Sequence, residues 1–174
     1  MKMIREKIKA ALISLFALLL LVSCAAPVQL AKAPKFTLNS MNGQPVSLID
    51  YKGQKAVLLL FFSFTTGRGQ DPLLRGYLDY YTPSDKLQIM PVVDISNLSA
   101  GNAASGPQKR LTDMGYSVPL RDEDGDVSQA FGADPDKLTV VVVDREGFIR
   151  FRQVVTSTPD TNAELAEQIK QATN

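Results

Sequence analysis

Hydrophobic and polar residues follow several different rhythms along this chain, and each rhythm predicts a different element. Ala10 to Val22 is apolar throughout except for Ser14, behind a start that carries Lys2, Arg5, Lys7 and Lys9. The run is too short for a comfortable membrane span and has the basic front of an export signal. "FTLNSMNGQPVSL" alternates around Asn42-Gly43, which predicts a hairpin with a type I′ turn. "AVLLLFFSF", residues 56–64, is apolar on both faces and suits a central strand covered on both sides. "LQIMPVVDI", residues 87–95, reads the same way. Between them the period lengthens: Leu74, Tyr77, Leu78 and Tyr81 recur on one helical face, with Asp71 as cap and Pro72 in the first turn.

The second half continues the alternation of strand and helix. "SNLSAGNAASGP" is a polar loop of small residues, and "QKRLTDMGY" reads as a helix ending near Gly115. "SVPLRDEDGDVSQAFGA" predicts a short strand, an acidic turn and a short helix. "KLTVVVVDREGFIRFRQVV" predicts two strands joined at Arg-Glu-Gly, and "DTNAELAEQIKQA" a closing helix with Leu165 and Ile169 inward. Strand–helix–strand units require parallel pairing and the late hairpin antiparallel pairing. The expected architecture is α/β, a mixed central sheet with helices on both faces and an N-terminal β-hairpin.

Composition narrows the chemistry. "LVSC" places a small residue before Cys24 and resembles the lipobox of bacterial lipoproteins. That resemblance implies cleavage after Ser23 and acylation of Cys24. Residues 1–23 are then a signal peptide, 24–34 a lipidated tether and 35–174 the folded domain. The expected partner is the lipid bilayer, reached through the acylated Cys24. Ala25 is not the aspartate that retains many such proteins at an inner membrane, which implies the periplasmic face of an outer membrane. Without residues 1–23 the chain keeps 15 basic and 17 acidic residues, a net charge of −2. No basic run along the sequence predicts binding to nucleic acid or to anionic lipid. The chain has no histidine and one cysteine. Imidazole bases, His-ligated metals and, once Cys24 is acylated, thiols and disulfides are all excluded, and no cofactor is expected.

Three phrases resemble the thioredoxin fold of the redoxins, the group of alkyl hydroperoxide reductase/thiol-specific antioxidant proteins and membrane-anchored thiol–disulfide reductases. They are "FTLNSMNGQPVSLIDYKGQKAVLLLFF", "VPLRDEDGDVSQAFGA" and "VVVVDREGFIR", and the resemblance spans roughly residues 35–172. It implies a thiolate at a helix N-terminus, where exposed N–H groups lower the cysteine pKa. The two reductase cysteines fall near Thr66 and Gly69, and a single peroxidatic cysteine near Arg68 or Gly69; none of these is a thiol. The family's cis-proline falls near Leu138, with Pro135 three residues too early. The resemblance therefore implies a redox fold without its redox centre.

Candidate sites follow from that junction. Thr65, Thr66 and Arg68, at the end of the central strand, form the candidate ligand or partner loop. "TTGRG" there could cradle an anion or simply fill the vacated site. "DEDGD" fails the calcium-loop pattern, since Val127 and Ala133 stand where glycine and glutamate belong, so a solvated turn with Asp126 as helix cap is expected. Asp94 and Asp144 could pair with Arg68 or Arg145, or simply face a loop. Three readings stay open: a non-catalytic module for an envelope protein partner, a redoxin working with a partner's thiol, and a small-anion or ligand binder.

Overall fold

A computed structural model describes residues 30–65, 67–98, 109 and 119–174. The signal segment, Cys24, Thr66, most of the 99–118 stretch with its expected helix, and the Arg68 side chain lie outside the described residues. Among the described residues seven strands form one mixed sheet: β1 (Thr37–Ser40), β2 (Pro45–Ser47), β3 (Ala56–Ser63), β4 (Leu87–Asp94), β5 (Leu120–Asp122), β6 (Thr139–Val143) and β7 (Ile149–Val154), in the order β2-β1-β5-β4-β3-β6-β7. β3 is parallel to β4 and antiparallel to β6. The helices among the described residues, besides short 3₁₀ turns, are α1 (Asp71–Tyr80), α2 (Asp126–Ala130) and α3 (Ala163–Thr173).

The sheet divides the core in two, as the strand pleat requires. From β3, Leu58, Leu60 and Phe62 enter one layer, joined by Leu74 and Tyr77 of α1 and Leu165 and Ile169 of α3. Val57, Leu59 and Phe61 enter the other, with Phe36, Leu48 and Phe131. All eight residues of β3 are buried, which is why the sequence there shows no alternation. Each buried Leu or Phe contributes about 1.5–3 kcal/mol relative to exposure.

Side-chain hydrogen bonds lock the first layer. The Tyr77 hydroxyl, fully buried, donates to the Ser157 carbonyl at 3.2 Å and accepts from Asn162 Nδ2 at 3.5 Å. Asn162 Oδ1 accepts from Leu165 N at 3.1 Å and so caps α3. One residue thus joins the two long helices of this face.

Four local expectations change. The first hairpin has a three-residue loop: Gly43 N donates to Ser40 O and Ser40 N to Gln44 O, and Gly43 alone carries a positive φ, 81°. A type I′ turn needs positive φ at two residues; a turn closed by a left-handed glycine needs one. Asp71 is the first residue of α1 rather than its cap, because a 3₁₀ turn over Gly67–Gln70 makes Gln70 the N-cap. Gly125, φ 80°, precedes α2 in place of an Asp126 cap, and the buried Asp122 carboxylate takes the N–H groups of Val127 (3.4 Å) and Ser128 (2.7 Å). Finally, the chain is already docked before Lys35: Ile149 N donates to Ala31 O at 2.8 Å, Ala33 N to Gly147 O at 2.9 Å, and Ala33 is buried.

Candidate functional site

The sequence places the site where β3 runs into α1. Ser63 closes the strand, and Phe64 N still donates to Asp94 O, so β3 and β4 end side by side. Crevices in open α/β sheets form beyond such strand ends. Thr65 is exposed, and its Oγ1 lies 3.2 Å from Oγ of the buried Ser63. Gly67–Gln70 then winds directly into α1. Of the three predicted loop residues, only Thr65 has a described side chain. At Gly69, where the resemblance puts a cysteine, an added Cβ would meet no atom within 4 Å. Space therefore does not exclude a side chain there; residue identity alone removes the thiol.

Beside this junction lies a cleft of about 260 Å³ that the sequence did not reveal. Ser63, Asp94, Ser96, Ser128, Gln129 and Asp134 are among its lining residues, together with Phe61 and Phe62. Asp94 Oδ1 accepts from Ser96 N at 2.9 Å. Gly125 suits this turn through its positive φ of 80°, and an added Cβ would also sit a tight 3.2 Å from Ser96 Oγ. The carboxylates of Asp94, Asp124 and Asp134 give the cleft a negative potential, which repels anions. An anion site at this end of the sheet would therefore have to use Arg68 and the loop rather than the cleft. Asp94 and Asp124 were visible in the sequence, but nothing local joins them to Asp134.

Asp144, the other acid singled out in the sequence, has structural partners. Asp144, buried, takes Phe148 N at 2.8 Å and pairs with Arg150 rather than Arg145. Arg145 instead lies 3.6 Å from Glu146 and donates to the Asn174 carbonyl at 2.8 Å. No cluster that could hold a metal occurs among the described residues. Tyr81 packs against the α1 layer and its hydroxyl pKa is pushed up to about 12, mainly by burial and then by Tyr80 and Tyr77. Leu138, where the resemblance puts the family's proline, is fully buried, and every peptide bond among the described residues is trans.

Asp122 makes a testable prediction. Burial raises its pKa above the ordinary 3.8, against the lowering by hydrogen bonds from Ser128 and Val127, with a further raising contribution from Asp94. The folded state then holds the proton more tightly than the unfolded chain does. Stability from this group is complete below the unfolded value and is lost as pH rises through the raised folded value. In urea titrations from pH 3 to 7, Asp122→Asn should gain on the wild type as pH increases. Parallel midpoints across that range would show that Asp122 does not titrate in this way.

Comparison with known proteins agrees with the fold and with the three phrases. The family model described as Redoxin matches residues 30–169. Alkyl hydroperoxide reductase E of Mycobacterium tuberculosis is 33% identical over 137 residues, which is 71% of this chain and 83% of that protein. Among solved structures, a thiol:disulfide interchange protein of the thioredoxin family from Chlorobium tepidum superimposes with a TM-score of 0.61 at 19% identity, over 86% of this chain and 100% of that one. The pneumococcal exposed lipoprotein thioredoxin Etrx1 from Streptococcus pneumoniae gives 0.63 at 21% identity, over 79% and 99%. This chain, with its thioredoxin-like sheet and no cysteine at the β3–α1 junction, belongs to the redoxin family.

Proposed function

We propose that this protein is a cell-envelope lipoprotein whose redoxin domain has lost its thiol chemistry and serves as a docking module for an envelope protein. The observation that carries the proposal is the β3–α1 junction: a strand end and a helix N-terminus arranged as for a thiolate, with Thr65, Thr66, Arg68 and Gly69 in place of cysteine. The chain has no histidine to activate a hydroxyl instead. The lipobox-like "LVSC" supports an acyl anchor at Cys24, and Ala25 supports the periplasmic face of an outer membrane. The likeness to an exposed lipoprotein thioredoxin is consistent with an envelope address.

Arg68 keeps its charge at any physiological pH and suits a carboxylate, phosphate or acidic protein surface. A second reading, redox work with a thiol supplied by the partner, is favoured by the identity with alkyl hydroperoxide reductase E. One experiment tests the proposal. Tagged full-length protein is labelled with palmitate in cells, cross-linked and recovered from its own membranes. Label should reside on Cys24, and Arg68→Ala should weaken capture of the partner by about 1.5–3 kcal/mol, the range for hydrogen bonds to a charged group. Unlabelled protein in the soluble fraction, or a partner profile unchanged in Arg68→Ala, would defeat it. A partner held by a reducible bond would favour the second reading.

A further inference from the structure

The sequence shows no basic run, yet the fold gathers basic residues from three separate segments. Lys32 and Lys35 come from the strand-like lead-in, Lys52 from the turn after the 3₁₀ helix Leu48–Tyr51, and Arg145 from the β6–β7 turn. Two backbone hydrogen bonds hold these segments together: Ala33 N to Gly147 O at 2.9 Å, and Gly53 N to Arg145 O at 2.7 Å. Lys32, Lys35 and Lys52 line a depression of about 150 Å³ together with Ala33, Pro34 and Leu48. A shallower hollow continues it to Arg145. Ile49 stands between the two and is 55% exposed, the most exposed large hydrophobic among the described residues. Glu146 is the only carboxylate lining either hollow, and it lies beside Arg145.

We propose that this face docks on the anionic headgroups of the bilayer that holds the protein, with Ile49 entering the headgroup layer. The inference rests on the acylated Cys24 proposed above. From Cys24 to Leu30 the chain is "CAAPVQL", without charge. Six residue steps span at most about 20 Å when extended. Residues 31–33 are pinned beside the β6–β7 turn, so the tether leaves the domain next to this hollow. A domain of this size has a radius of gyration of roughly 15 Å, so a tether this short cannot bring the opposite face to the membrane. Four cations around one acid complement an anionic surface, and an exposed isoleucine among lysines has the amphipathic character of an interfacial contact. The net −2 of the exported chain does not oppose this, because charge is screened within about 8 Å and the local cluster governs contact.

The absence of any other cysteine makes the test direct. Full-length protein carrying Ile49→Cys is recovered from membranes, labelled with an environment-sensitive dye and reconstituted into vesicles with or without phosphatidylglycerol in phosphatidylcholine. A second preparation carries the dye at Asp160→Cys, an exposed position just before the α3 cap on the other layer's side of the sheet. In anionic vesicles the dye at 49 should be several-fold protected from acrylamide, and the protection should vanish in pure phosphatidylcholine or at high salt. The dye at 160 should stay open throughout. Adding Lys32→Gln, Lys35→Gln and Lys52→Gln should abolish the protection, at about fivefold in the docking equilibrium per charge removed. Equal quenching at 49 and 160 in anionic vesicles would overturn the proposal, as would protection that ignores lipid charge and the lysine substitutions. Failure of the anchor looks different: the chain would be soluble and take up two dyes, one on a free Cys24, and docking would fall with it.

Discussion

Purified protein given a dithiol and peroxide will consume peroxide no faster than buffer, and it will not reduce a disulfide substrate. The family's chemistry needs a thiolate at the helix N-terminus, and the residues between Ser63 and Asp71 include no cysteine. A threonine hydroxyl stays protonated near neutral pH, and no histidine is present to take its proton. Enzymes typically turn over about 1–10³ times per second, so the expected difference from an active relative is of many orders of magnitude. The urea midpoint should also be the same with and without reductant, since one cysteine closes no loop. The measurement is peroxide loss by protein cleared of contaminating enzymes, with Cys24→Ser as control. Thiol-dependent turnover that survives Cys24→Ser would refute the inactive reading. Turnover that disappears with it would make Cys24 itself the reactive group.

Phe131→Ala should be among the most damaging single substitutions outside the strands. Phe131 is fully buried, packs edge-on to Phe36 with ring centroids 5.9 Å apart, and lies 5.1 Å from Phe61. It therefore joins the lead-in, the central strand and the segment after α2 in one cluster. Truncating a buried phenylalanine costs about 3–5 kcal/mol. For a domain with roughly 5–15 kcal/mol in total, that consumes a large share. The midpoint of thermal unfolding should fall by roughly 10–15 °C. Ile49→Ala, at an exposed position, should move it by about a degree or less. A Phe131→Ala midpoint close to that of Ile49→Ala would mean that the second core layer does not hold the fold together.

Much of the fold was legible because buried strands and amphipathic helices write their periods into the chain. Ala56–Ser63 is buried on both faces, and the run from 56 to 64 reads accordingly. Leu74 and Tyr77 are fully buried with Leu78 and Tyr81 packed against them, as their spacing requires. End chemistry was less legible. Asp126 has the right position for a cap, but Asp122 reaches the N–H groups of Val127 and Ser128 from inside the core, because α2 folds back over the end of β5. The Asn-Gly pair marked the hairpin, yet only Gly43 adopts positive φ, since pairing with the sheet sets a three-residue loop.

By itself the sequence determined the order of the strands and helices found among the described residues, the family likeness and the loss of the thiol, since each is a property of residue type and local spacing. Tertiary structure alone decided which distant residues share a surface. The cleft joins Asp94, Asp124 and Asp134 because the end of β4, the α2 approach and the segment before the antiparallel β6 meet at the same end of the central strands. The basic hollow joins Lys32, Lys35, Lys52 and Arg145 because backbone hydrogen bonds hold the lead-in and the Gly53 turn against the β6–β7 turn. Charges more than a hundred residues apart in the chain act together only when strand pairing closes that distance, and no local pattern records such closure.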